Sequence, residues 1–124
     1  MSISRPLVVA VGGALGATCR WAIDTAVGPT EWPWVLLIVN IIGSFVLGIV
    51  LVVASTSARP LIRLGGGVGF CGGLTTFSSF AVVAVRLLDD DRTVSAAAFV
   101  VASVVLAGVA LIAGMRFRQQ TVAP

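Results

Sequence analysis

The chain contains no histidine, so it cannot build a Ser-His or Cys-His nucleophile pair or a His-bearing zinc site. Its other polar residues fall into a few groups. Asn40, Ser44 and Gly48 recur every fourth residue within VNIIGSFVLG (39–48), one polar-to-small stripe on an aliphatic helix. A mid-span asparagine must hydrogen-bond to protein or to something passing by, so a helix–helix staple and a pathway lining both stand open. Ser95, Phe99, Ser103 and Ala107 repeat the spacing further on, although lone membrane serines often bond their own backbone. Arg20 and Asp24, four apart, share a helical face and can pair near a membrane interface. The densest group is GFCGGLTTFSSF (69–80), where glycines, hydroxyls and two phenylalanines crowd together.

The elements that must position these residues are membrane spans. Of the 124 residues, 58% are hydrophobic and 10% charged, against about 25% charged in soluble domains. Four apolar stretches reach the length of about 20 residues that a crossing needs: 7–27, 34–54, 62–88 and 94–114. The first continues past signal-peptide length without a clear cleavage site and is read as a retained span. Short connectors favour up-down-up-down order, and Trp32 and Trp34 suit an interfacial belt. The expectation is a single all-α domain over residues 1–124 in a cell membrane. The net charge of +3 comes from scattered arginines that mostly flank the spans, which argues for membrane anchoring and against nucleic acid. Cys19 and Cys71 read as small hydrophobes.

Gly12 and Gly16 form a small-xxx-small pair suited to close helix packing. The third stretch is different. Gly65, Gly66, Gly67, Gly69, Gly72 and Gly73 lie within nine residues, and each costs about 1 kcal/mol against alanine in a helix. Thr75, Thr76, Ser78 and Ser79 then compete for backbone hydrogen bonds. The third span is therefore expected to break in mid-membrane, and irregular backbone at that depth survives only when buried or lining a wet cavity. Gly67 to Gly72 also matches GxGxxG, but inside a span it lacks the strand and helix a dinucleotide site requires.

Taken together, GGALGATCRW (12–21), VNIIGSFVLG (39–48) and GFCGGLTTFSSF (69–80) make the chain resemble the Fluc-type (CrcB-type) fluoride channels over nearly its whole length. The resemblance implies an antiparallel, dual-topology dimer with two pores that exports fluoride passively and protects the cell from its toxicity. It implies that Phe77 and Phe80 face the anion with their ring edges and that Asn40 lies at the end of that track. Ser78, Ser79 and Ser103 would line the path, and Arg20 would stand near an aqueous entrance. Gly72 and Thr75 would offer backbone carbonyls to a structural sodium ion at the dimer centre. Two positions depart from the pattern: Val83 stands where many relatives have glutamate, and Phe99 where some have tyrosine.

The chemistry is coherent. Moving a small halide out of water costs tens of kcal/mol by Born estimates. Amide and hydroxyl donors, with the partially positive edges of aromatic rings, can replace part of that hydration. Five arginines (5, 59, 63, 116, 118) fall on one side of the predicted topology and three (20, 86, 92) on the other, which leans the N-terminus inward. Such a lean leaves a second copy and an oppositely oriented homologous subunit both open as partner. A small multidrug exporter needs a carboxylate within its first span away from an arginine, which Asp24 beside Arg20 fits poorly. A purely structural subunit leaves the third span unexplained, and no acid–base pair suggests an enzyme.

Overall fold

The computed structural model describes residues 4–56 and 60–122, and those residues contain helix and short connectors but no strand. α1 spans Ser4–Val27 and α2 Trp34–Thr56. The third crossing is a composite. It begins with α3 (Pro60–Ile62), widens into a π-helix (Arg63–Cys71), closes again as α4 (Gly72–Leu74), and resumes after a break as α5 (Phe77–Asp89). α6 runs Thr93–Val122, eight residues beyond the end expected from hydropathy. All four crossings are long and apolar enough for a bilayer, so the chain is a multi-pass membrane protein. Arg59 lies outside the described residues.

The interruption of the third span lies after the glycines. The π-helix carries the chain through Gly65, Gly66, Gly67 and Gly69, and the ladder fails only at Thr75 (φ −80, ψ 151) and Thr76 (φ −146, ψ 124). Propensity alone would break the helix among the glycines; packing overrides it. α1 approaches this segment so closely that a Cβ on Gly12 would strike the Gly65 carbonyl, and one on Gly16 would strike the Phe70 carbonyl. Glycine there serves contact between backbones, with the Gly12 and Gly16 pair supplying the other half of it.

That packing also fixes direction. Val8 and Gly12 meet Gly65, while Gly16 meets Phe70 and Leu74, so α1 and the third crossing run parallel. α2 and α6 are parallel too: Leu36 and Leu37 cluster with Ala96 and Phe99, Asn40 and Ser44 share a cavity with Ser103 and Ala107, and Gly48 faces Leu111 and Met115. Phe45 and Phe117 rings stand 6.1 Å apart along the same seam. The tightest packing thus joins alternate crossings, as up-down-up-down order requires.

The polar connectors secure one end. α1 stops at Gly28, whose φ of +74 suits glycine and whose N–H donates to the Asp24 carbonyl at 3.0 Å. Arg92 donates to the Glu31 carbonyl at 2.9 Å, tying the first connector to the last. Beneath them Leu36, Leu37, Leu87, Ala96 and Phe99 form a buried cluster, with Trp32, Phe80 and Val83 packed against it. No ion pair joins Arg20 to Asp24, or any other charges among the described residues. Asp24 and most of its neighbours at that end of α1 are exposed, where solvent makes such pairing worth little.

Candidate ion pathway at the helix break

Thr76 caps α5 and explains the local fold. Its extended backbone turns the chain, and its Oγ1 accepts the Ser79 N–H at 3.2 Å. Thr75 points the other way: its N–H and hydroxyl both donate to the Cys71 carbonyl, at 2.8 and 2.7 Å, finishing the first half of the span. The Thr76 N–H, which a continuous helix would aim at the Gly72 carbonyl, donates instead to Asn40 Oδ1 at 3.2 Å. Because an N–H must meet an acceptor, this bond also orients the amide. Oδ1 is committed to the break and the Asn40 NH2 remains as a donor.

That amide faces a cavity of about 260 Å³. α2 contributes Asn40 and Ser44, the break contributes Thr75 and Thr76, and α5 contributes Phe77 and Phe80. α6 closes it with Ser103, Val104 and Ala107. The stripe read along α2 therefore divides: Asn40 and Ser44 line the cavity, while Gly48 is packing against α6. Asn40 is both staple and lining. The stripe on α6 faces the same space through Ser103 and Ala107.

Ser103 stands apart from the other polar residues. It is only 6% exposed, and its Oγ is buried without a hydrogen-bond partner. Buried hydroxyls are normally satisfied, and an orphan costs about 1–3 kcal/mol. Here the residue that carries the orphan lines the cavity that Asn40 also lines. No ionisable side chain among the described residues lines that cavity. The first turn of α5 borders it too, bringing the positive end of that helix dipole close by. Donors without a cation, at a site without a carboxylate, suit a desolvated anion.

The rings form a continuous track. Phe77 and Phe80 centroids are 5.6 Å apart, Phe80 and Phe99 5.5 Å, and Phe99 meets Trp32 edge-on at 5.8 Å and 83°. Phe99 is fully buried, whereas Phe77 is 80% exposed and stands at the outer surface of the chain. Of the residues expected at a site, the structure gathers Asn40, Phe77, Phe80 and Ser103 round one cavity. Ser78 and Ser79 instead collect about the Thr76 hydroxyl, at 3.0 and 3.4 Å, and do not line it. Arg20, on α1, does not line it either. Ser44 lines it as one of the two readings of the α2 stripe allowed, whereas Thr76 was expected only to compete for backbone hydrogen bonds. The four-residue spacing from Asn40 was the available signal for Ser44, and the hydroxyl following a glycine-rich run was the signal for Thr76.

Comparison with known proteins adds to this geometry. A family model described as CrcB-like protein, Camphor Resistance (CrcB), matches residues 7–115. The chain belongs to the CrcB-like family. It is 43% identical to the Fluoride-specific ion channel FluC 1 of Halobacterium salinarum, with 89% of this chain and 91% of the relative aligned. It is 40% identical to the Fluoride-specific ion channel FluC of Hahella chejuensis (93% and 94% covered) and 38% to that of Geobacter sulfurreducens (92% and 96%). Within this CrcB-like chain Val83 and Phe99 share a physical setting. Val83 packs on the apolar cluster around Phe99, where a carboxylate or phenol would have to find a polar partner.

Proposed function

We propose that this CrcB-like chain is a subunit of a fluoride-selective channel, carrying the anion passively across the membrane rather than catalysing a reaction. The observation that carries the proposal is that Ser103, with its orphaned hydroxyl, and Asn40, with its oriented amide, line one cavity that has no charged lining residue among the described residues. The anion enters along the edges of Phe77 and Phe80, gains hydrogen bonds from Asn40 and Ser103, and is held too weakly to be trapped. Ser44 adds a third donor at the cavity wall. Ser78 and Ser79 sit beside the exposed Phe77 and serve the outer part of the path, while Arg20 draws anions towards an aqueous entrance.

A second subunit, either another copy or an oppositely oriented homologue, completes the path at the surface where Phe77 is left exposed. Gly72 and Thr75 suit half of a sodium site at that junction. The Thr76 amide has turned to Asn40, which leaves the Gly72 carbonyl without its helical donor. Gly72 is also exposed, with no atom within 4 Å of where a Cβ would stand. Neutral oxygen donors of this kind suit a hard alkali cation, and no cluster of acidic or thiol ligands exists among the described residues. When bound, the ion would tie the two breaks together electrostatically.

Replacing the rings tests the pathway. Phe77→Ile and Phe80→Ile remove the aromatic edges but keep apolar bulk, and both are expected to lower fluoride efflux from liposomes by tenfold or more. The subunits should remain assembled on size-exclusion chromatography. Wild-type efflux in both variants would falsify the role given to the rings.

A further inference from the structure

The end of the molecule opposite the acidic connectors holds a second polar cavity that the ion pathway does not use. It measures about 370 Å³ and is lined by Arg5 at the start of α1, Ala54 near the end of α2, and Pro60, Arg63 and Leu64 at the start of the third crossing. Arg5 and Arg63 are far apart in sequence and meet here because α1 and the third crossing run parallel. Neither guanidinium has a carboxylate or hydrogen-bond acceptor as partner among the described residues. None can come from the acids, because Asp24, Glu31, Asp89, Asp90 and Asp91 all belong to the other end of the crossings. Leu64 also borders a neighbouring depression with Arg5, Pro6, Val9 and Ala10, which gives the site an apolar flank along the side of the helices.

We propose that Arg5 and Arg63 bind a phosphate oxyanion, presented as the headgroup of an anionic phospholipid whose chain lies along that apolar flank. Two arginines lining one cavity can offer it forked guanidinium donors that match phosphate oxygens. Basic pockets between transmembrane helices at the membrane surface favour anionic headgroups for this reason. The depression beside Arg5 separates this ligand from a freely dissolved anion, since phosphate alone has no use for Val9, Ala10 and Leu64. The site is independent of the ion pathway: it shares no residue with the cavity at the break.

The experiment is native mass spectrometry of the full chain in a neutral detergent, titrated with phosphatidylglycerol or with phosphatidylcholine of equal chain length. Wild-type protein should retain phosphatidylglycerol selectively. The Arg5→Gln/Arg63→Gln variant should weaken that retention about tenfold or more, for the loss of two charge-assisted contacts. Arg116→Gln/Arg118→Gln removes the same charge from the same end of the molecule without touching the cavity and should bind as wild type. Inorganic phosphate at millimolar concentration tests the headgroup alone: partial displacement of the lipid supports the oxyanion site, with the acyl flank accounting for the lipid's advantage. Equal loss in the two double variants, or phosphatidylcholine retained as well as phosphatidylglycerol, overturns the proposal. Full displacement by phosphate at the lipid's own concentration would instead make the ligand a free oxyanion and overturn the lipid assignment.

Discussion

Ser103→Ala separates a transport role from a structural one because the two predict opposite changes in stability. The serine is 6% exposed and its hydroxyl has no partner. Deleting it removes no protein hydrogen bond and relieves a buried polar group whose cost is about 1–3 kcal/mol. The variant should therefore unfold at the same temperature as wild type or slightly higher, read by tryptophan fluorescence in detergent. Flux should move the other way. A hydrogen bond from this hydroxyl to an anion is charge-assisted and worth about 1.5–3 kcal/mol. Losing it lowers fluoride efflux by about ten- to hundredfold, at 1.4 kcal/mol for each factor of ten. The assay is an ion-selective electrode on liposomes with matched protein content. Unchanged efflux together with a melting temperature several degrees lower would show that the hydroxyl holds the fold and would refute this reasoning.

Three other outcomes follow from the same geometry. Asn40→Asp keeps an acceptor for the Thr76 N–H but exchanges the free NH2 for a carboxylate oxygen. The fold should survive while fluoride efflux at neutral pH falls by about a hundredfold, and wild-type efflux would reduce Asn40 to a staple. Gly48→Val would drive a side chain into the Leu111 backbone, so it should cost about 1–3 kcal/mol and appear as a lowered melting temperature or aggregation in size-exclusion chromatography. No ionisable group among the described residues lines the cavity, so efflux should stay flat between about pH 6 and 8, and a sigmoidal change there would require a titrating residue on the path.

Much of this architecture is legible in the residues, and each misplacement has a physical reason. Hydropathy located four crossings to within a few residues, except that α6 continues through Arg116 and Arg118, where the helix runs on past the apolar stretch. The broken third span was expected from its glycines and hydroxyls, but the site of failure depended on tertiary contact. Gly69 and Gly73 lie against the backbone of α1, and that packing keeps the chain helical as far as Leu74. Asn40 and Ser103 were visible through four-residue spacing. What spacing could not show was that the Thr76 amide would fix the asparagine's orientation, a contact across 36 positions of sequence. Ser78 and Ser79 were equally visible as hydroxyls, yet their neighbour Thr76 draws them into the cap. The convergence of Arg5 and Arg63 depended on which crossings pack together, and sequence order gave no sign of that.

The most direct measurement is simultaneous efflux of fluoride and chloride from liposomes loaded equally with both salts, using purified chain alone and then with an oppositely oriented homologue where one is encoded. Neutral donors that replace the shell of a small, strongly hydrated halide predict that fluoride leaves while chloride stays. Equal loss of the two anions, or retention of both with either subunit composition, would contradict the account.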